Sequence, residues 1–214
     1  MSVNQQILIL GAGSFARSVA DIIEEVPGNQ VIGFVVNLPP FTGGSKLADK
    51  PIYWVDEIED FDKSILAICA LGRKIKKKLI DQVASFGFEF TTFIHPTAYV
   101  SKTAKIGKGV IINSGAQLAT NVVIGDHVVI NRGALIGHDS TIQDYCMISP
   151  GVNIASFVNV GPACEIKMSA NIIEHTTIGE GSFIGASSLV TGDIPANVKV
   201  VGIPAQIIET NIKD

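Results

Sequence analysis

A triangular parallel β-solenoid preceded by a small α/β lobe is the fold class that this 214-residue sequence predicts. Three observations carry that expectation: an unbroken six-residue period from Ile94 onward, a strand–glycine–helix opening, and a composition rich in small aliphatic residues. Charged residues make up 17% and aromatics 7%, with 21 glycines, which suits a regular interior of repeated small units. The 47% hydrophobic content excludes a disordered chain, and glycine lacks the three-residue period of collagen. A formal charge of −4 suits neither a nucleic-acid backbone nor an anionic lipid surface. No apolar run approaches the ~20 residues of a membrane helix. The first residues lack a basic region and run straight into a glycine turn, so they read as a strand and not a signal peptide. Three cysteines, an odd number, fit a reducing compartment, and a cytoplasmic protein is expected.

Residues 1–93 read as the α/β lobe. The strand QILIL enters Gly11-Ala12-Gly13-Ser14-Phe15-Ala16, a G-x-G-x-x-A turn with Ser14 as the expected helix N-cap. Val19, Ile22, Ile23 and Val26 then fall on one helical face, which Pro27-Gly28 terminates. Residues 31–36 and 65–71 read as further strands of a parallel sheet, residues 37–50 as a loop, and Arg73–Ser85 as a helix whose basic run is a solvated face.

From Ile94 the chain divides into sixes without insertion, and all seventeen first positions through Val190 are aliphatic. Sixteen of the seventeen fifth positions are small, and six second positions are glycine. Neither a helical nor a simple strand period sustains such a pattern. Three units would form one triangular coil, with residue i about 4.8 Å below residue i+18. The aliphatic first residue fills the axis, the small fifth residue fits where walls converge, and the second-position glycine is expected to relieve unusual backbone angles. Seventeen units give about six coils over residues 94–195, with residues 196–214 as a cap in which Ile207-Ile208 cover the last coil.

The glycine turn is a seat for an anion such as a diphosphate, but the second strand ends in Val36-Asn37 without the acid of a dinucleotide site. His95, His127 and His138 fall on three different corners, and His175 lies two coils from His138, so no metal site is expected. His138 is followed by Asp139 at an outward corner, where a carboxylate raises the basicity of an imidazole suited to general-base work. A solvated turn is the structural alternative. Cys146 and Cys164, eighteen apart at fifth positions, read as stacked buried thiols.

The lobe, the segment Ile94-His95-Pro96-Thr97-Ala98, the repeats, Asn131, His138-Asp139 and Gly202-Ile203-Pro204-Ala205 together resemble the hexapeptide-repeat nucleotide-amino-sugar acetyltransferases. That group includes the bacillosamine-pathway N-acetyltransferase and sialic-acid-pathway O-acetyltransferase relatives. The resemblance implies a Rossmann-like nucleotide-sugar lobe, a left-handed parallel β-helix, and a homotrimer with acetyl-CoA lying between subunits. It implies His138 as general base and Asp139 as the acid that tunes it. It also implies sugar-nucleotide contacts at Gly13, Ser14, Phe15, Asn37, Leu71, Lys74 and Asn131, and acetyl-CoA contacts at Met147, Met168 and Ala186. Phe15, Val36-Asn37 and the stretch around Leu71 and Lys74 depart from the family pattern, leaving UDP, dTDP and GDP sugars open. The expected function is N-acetylation of a nucleotide-linked deoxyamino sugar in surface glycan biosynthesis. The alternatives are O-acetylation by the same fold, a non-catalytic nucleotide-sugar-binding trimer, and a zinc enzyme of the carbonic-anhydrase kind.

Overall fold

The computed structural model describes residues 5–39 and 45–212, with Arg73 and Lys74 described by their backbone alone. The chain divides into two compact units, Met1–Phe93 and Ile94–Asp214.

In the first unit the apolar runs form strands buried on both faces, as parallel sheets require. Strand β1 (Gln5–Leu10) pairs in parallel with β2 (Asn29–Val36) on one side. Two strands that the sequence reading missed follow, β3 (Lys46–Leu47) and β4 (Lys50–Trp54), and then β5 (Leu66–Cys69), which pairs with the other side of β1. The sheet order is β3-β4-β2-β1-β5, so the chain reverses its direction of progress between β1 and β5. Strand β4 runs parallel to β2, and β3 folds antiparallel onto β4. The expected loop over residues 37–50 is therefore partly strand, with residues 40–44 outside the described residues. The hairpin was hidden because its two turn residues, Ala48 and Asp49, take φ of 48° and 60° without the usual glycine. Only Ile52 of β4 is buried, too little for an apolar pattern.

Helix α1 (Ser14–Glu24) begins one residue earlier than expected. Gly13, extended at φ −89° and ψ −174°, is the N-cap, and Ser14 is already helical. Its buried face is Ala16, Val19, Ala20 and Ile23, so Ile22 and Val26 are only half-buried flank. Helix α2 (Arg73–Ser85) corrects the solvated-face reading at one position, since Lys76 is only 1% exposed. Its charge acts on Cys69, whose thiol burial pushes up to about 11 against the smaller opposing pull of Lys76.

The second unit is a parallel β-solenoid with two-residue rungs. Rungs such as Val129–Ile130, Leu135–Ile136 and Thr141–Ile142 form the first, second and third walls in turn. Each pairs with the residues eighteen away, for example Ile136 with Ile154. The second wall holds six strands and the third five, giving about six coils. First-position aliphatics from Ile112 to Val190 fill the axis at 3% exposure or less. Burying each contributes on the order of 1.5–3 kcal/mol. Ile94, at the open first coil, stays exposed.

The glycines work differently from the expectation. Left-handed backbone falls at the fourth position of every unit from Gly109 (φ 67°) to Ser187 (φ 57°), including Asn121, His127 and Asp139. Second-position glycines have ordinary φ and are required by close approach. A Cβ on Gly137 would lie 2.5 Å from the carbonyl carbon of Ala155, and one on Gly125 would lie 2.8 Å from the backbone nitrogen of Asp144. At fifth positions the Cys146 and Cys164 thiols donate to the carbonyls of Gly161 and Gly179, each at 3.1 Å. Ser140 makes the same bond to Ala155 at 3.0 Å. These cysteines therefore do a serine's structural work. At the far end Val198–Gly202 adds a parallel rung to Phe183–Ile184 and pairs antiparallel with Ala205–Thr210. Val198 and Val200 are the buried members of this cap, whereas Ile207 and Ile208 remain exposed, contrary to expectation.

Candidate active site

His138 sits at the third position of its unit, on the corner between the second and third walls, and Asp139 takes the left-handed fourth position with φ 57°. An aspartate tolerates that conformation better than most residues. It also turns the carboxylate back toward its neighbour. Asp139 Oδ2 lies 2.8 Å from His138 Nδ1, so the ring nitrogen facing the carboxylate carries the proton and Nε2 is the basic one. The side chains are 50% and 38% exposed, accessible without being free rotors. One coil away, the Phe157 ring packs edge-to-face with His138, the ring centres 5.1 Å apart and the planes at 86°. Phe157 in turn stacks on His175 at 5.0 Å and 4°. The Asn121 amide first, and His138 second, hold the Asp139 carboxyl below the usual carboxylate range.

The remaining solenoid residues singled out from sequence lie elsewhere on the prism. Asn131 and Met168 follow rungs of the first wall, Ala186 follows Phe183–Ile184 of the same wall, and Met147 is within it. They occupy a different edge of this chain from His138. Met168 is exposed, with 57% of its surface open. Asn131 is buried, and its amide is engaged internally: Oδ1 accepts from Asn113 Nδ2 at 3.2 Å and Nδ2 donates to the Ile148 carbonyl at 3.1 Å. His127 is buried and stacked on Tyr145 at 5.5 Å, and His95 Nδ1 lies 2.9 Å from Thr97 Oγ1. Among the described residues no three His, Cys, Asp or Glu side chains cluster as metal ligands.

The first unit carries a cavity of about 240 Å³ at the carboxyl ends of β1, β2 and β5, where ligands of open α/β sheets bind. Gly11, Ala12 and Gly13 form one side, Asn37 and Leu71 the others. Gly11 takes φ 112°, and a Cβ there would stand 2.7 Å from Leu71 Cδ2, so the turn needs glycine on both counts. Gly13, Asn37 and Leu71 thus meet at one cavity, whereas Ser14 and Phe15 are not among its lining residues. The side chain of Lys74 lies outside the described residues. Sequence reading missed Leu38, Pro39, Ile75 and Leu79 in the lining, because apolar loop and helix residues carry no chemical signature. Of the lining residues, Asn37 is tied outward: its Nδ2 donates to Gln82 Oε1 at 3.4 Å, and Gln82 Nε2 donates to Asp56 Oδ1 at 3.2 Å.

Residues 121–156 match the bacterial transferase hexapeptide repeats and residues 6–83 match the PglD N-terminal domain. Over 110 residues the chain is 31% identical to the UDP-N-acetylbacillosamine N-acetyltransferase of Bacillus subtilis strain 168. That match spans about half of each chain, 50% of this one and 51% of the relative. PerB from Caulobacter crescentus, solved with CoA and GDP-perosamine, superposes with a TM-score of 0.85 at 27% identity, covering 94% of this chain and 96% of that one. The acetyltransferase domain of PglB from Neisseria gonorrhoeae FA1090, solved with acetyl coenzyme A, gives 0.86 at 26% identity, covering 96% and 100%. The fold is thus a parallel β-solenoid with a stretch similar to the hexapeptide repeats of bacterial transferases, after an α/β unit similar to the PglD N-terminal domain. The chain is similar to the UDP-N-acetylbacillosamine N-acetyltransferase over half its length, and to PerB and the PglB acetyltransferase domain over nearly all of it.

Proposed function

We propose that the chain is an acetyl-CoA-dependent N-acetyltransferase acting on the amino group of a nucleotide-linked deoxyamino sugar in surface glycan biosynthesis. The observation that carries this reading is the His138–Asp139 pair, with Nδ1 engaged at 2.8 Å and Nε2 left to take a proton. Similarity to sugar acetyltransferases supports acetyl-CoA as the acyl donor and a nucleotide-linked amino sugar as the acceptor.

In the reaction the sugar amine attacks the thioester carbonyl, forming the C–N bond, and the C–S bond breaks as the tetrahedral intermediate collapses. The attacking nitrogen becomes cationic as it adds, and His138 Nε2 removes its proton. The same imidazolium then supplies a proton to the departing CoA thiolate. Asp139 keeps the imidazole in the required tautomer and stabilises the imidazolium, the role of a triad aspartate. Direct transfer is expected, because Cys69, Cys146 and Cys164 are all buried and none offers a nucleophile at an outward corner.

The cavity of the first unit takes the nucleotide, with Gly13 and the start of α1 offering N–H groups to the diphosphate and Asn37 and Leu71 contacting the base side. Ser14, Phe15 and Lys74 belong to the same proposed contact set through the family pattern. The engaged amide of Asn131 suits a role in shaping the sugar site more than in direct sugar bonding. Met147, Met168 and Ala186 are assigned to acetyl-CoA. Because they lie on another edge from His138, a complete site calls for a second copy, which supports a homotrimer with acetyl-CoA between subunits. No helix among the described residues is long and apolar enough to cross a membrane, and a cytoplasmic location suits a CoA-using enzyme.

The test is a panel of UDP-, dTDP- and GDP-linked amino sugars with acetyl-CoA, read as free-thiol release. Turnover of an amino sugar supports the proposal. Turnover of only the hydroxyl counterpart makes the chain an O-acetyltransferase, and saturable sugar binding without CoA binding makes it a non-catalytic trimer.

A further inference from the structure

The carboxylate that holds His138 is itself held. Asp139 Oδ2 faces His138 Nδ1 at 2.8 Å, and its other oxygen, Oδ1, accepts from Asn121 Nδ2 at 3.0 Å. Asn121 stands eighteen residues earlier, in the same left-handed column, with φ 59° against 57° for Asp139. Its backbone N–H donates to Thr103 Oγ1 at 2.9 Å, and the Asp139 N–H donates to the Thr120 carbonyl at 3.0 Å. Both ends of the clamp are thus anchored to the coil below.

We infer that Asn121 is a positioning residue for the acyl-transfer base, fixing the rotation of the Asp139 carboxylate so that one oxygen stays on His138 Nδ1. This rests on the reading of His138 as the base. An exposed carboxylate beside a histidine would otherwise rotate about its Cβ–Cγ bond and trade the imidazole for water. An amide suits the position because its NH2 group can only donate and a carboxylate can only accept, which sets the orientation of both. Asparagine also enters the left-handed region more readily than most residues, so the fold and the clamp ask for the same side chain. The stacking of the solenoid supplies the clamp, one coil removed from the histidine in space and seventeen residues away in sequence. Consistent with this, the Asn121 amide is the largest influence holding the Asp139 carboxyl below its ordinary range.

The test uses the full chain with Asn121→Gly, which keeps the left-handed backbone and deletes the amide, and Asn121→Asp, which sets a second carboxylate against Asp139. Activity is read with acetyl-CoA and the amino sugar turned over in the panel above. Independently, ¹⁵N shifts report the His138 tautomer and ¹³C shifts the Asp139 titration. Asn121→Gly is expected to lower kcat about tenfold, the scale of one hydrogen bond to a charged group. Both KM values should stay within about twofold, as removal of transition-state-only support requires. The single Nδ1–H tautomer should be lost and the Asp139 titration should move up toward the ordinary range. Asn121→Asp should be worse on every count, and it stands alone if the glycine variant does not fold. Wild-type kcat with unchanged nitrogen and carbon shifts would overturn the inference. An active His138→Ala would remove the base assignment instead, and the Asn121 shifts would still report on the clamp by itself.

Discussion

Asp139 reaches His138 Nδ1 at 2.8 Å from a left-handed backbone, φ 57°, at the fourth position, where each unit from Gly109 to Ser187 places such a residue. The solenoid thereby supplies, by register alone, an acid whose carboxylate points back at the preceding side chain.

The Asp139 carboxyl is held below its ordinary range by Asn121 first and His138 second. A depressed folded value means stabilisation that is present above the ordinary carboxylate pKa of about 3.9 and lost as pH falls through the folded value. Asp139→Asn removes this proton linkage. Urea midpoints of the two proteins should therefore differ near neutral pH, and the gap should close as pH falls through the depressed folded value of Asp139. A pH-independent gap would show that the interactions of the carboxylate contribute nothing to folding.

Gly137 precedes His138 and packs against the next coil. Alanine there would bring its Cβ to 2.5 Å from the carbonyl carbon of Ala155 and 2.6 Å from the nitrogen of Ser156. Gly137→Ala should cost about 1–3 kcal/mol and reduce turnover by displacing the corner. Gly192, with nothing within 4 Å of the corresponding Cβ, is the control. Gly192→Ala should change stability by no more than about 0.5 kcal/mol. Thermal unfolding of the pair decides the matter, and equal effects would remove close approach as the reason for the glycines.

All three cysteines are buried, and the Cys69 thiol is pushed up to about 11. A thiol-reactive chromophore at about pH 8 should find no fast-reacting group in the native protein and three after denaturation. A raised folded value contributes stability that is intact below the unfolded thiol pKa of about 8.5 and is lost as pH rises toward 11. Fast native labelling would contradict the buried placement.

The cavity beside the glycine turn predicts a mutation that separates the two substrates. Ile75 lines the cavity from the partly exposed side of α2. Ile75→Trp should fill part of its volume and raise the KM for the nucleotide sugar by about tenfold, equivalent to ~1.4 kcal/mol of binding. The KM for acetyl-CoA should not move. Initial-rate kinetics with each substrate varied in turn makes the comparison. A change confined to acetyl-CoA would place the nucleotide elsewhere.

The solenoid was legible because its pattern is long and its physics local: an aliphatic at each axis position and a small residue where walls meet. Position-by-position roles were harder. The recurrence of glycine at the second position suggests relief of dihedral angles, but that demand falls on the fourth position, where Asn121, His127, Asp139 and Tyr145 meet it without glycine. In the first unit, β4 was missed because one buried residue leaves no period, and the turn before it has φ > 0 at Ala48 and Asp49 with no glycine to mark it. The His138–Asp139 adjacency stood in plain view. The support from Asn121, by contrast, exists only once coils stack eighteen residues apart.

The account turns on His138 as the group that takes the proton from the acceptor. Turnover of His138→Ala, measured as thiol release in a sample whose oligomeric state and CoA binding match the wild type, tests it most directly. Loss of at least ~100-fold in kcat is expected, the lower end of what a general base contributes. Turnover within a few-fold of the wild type would contradict the account and leave the pair at this corner as surface chemistry only.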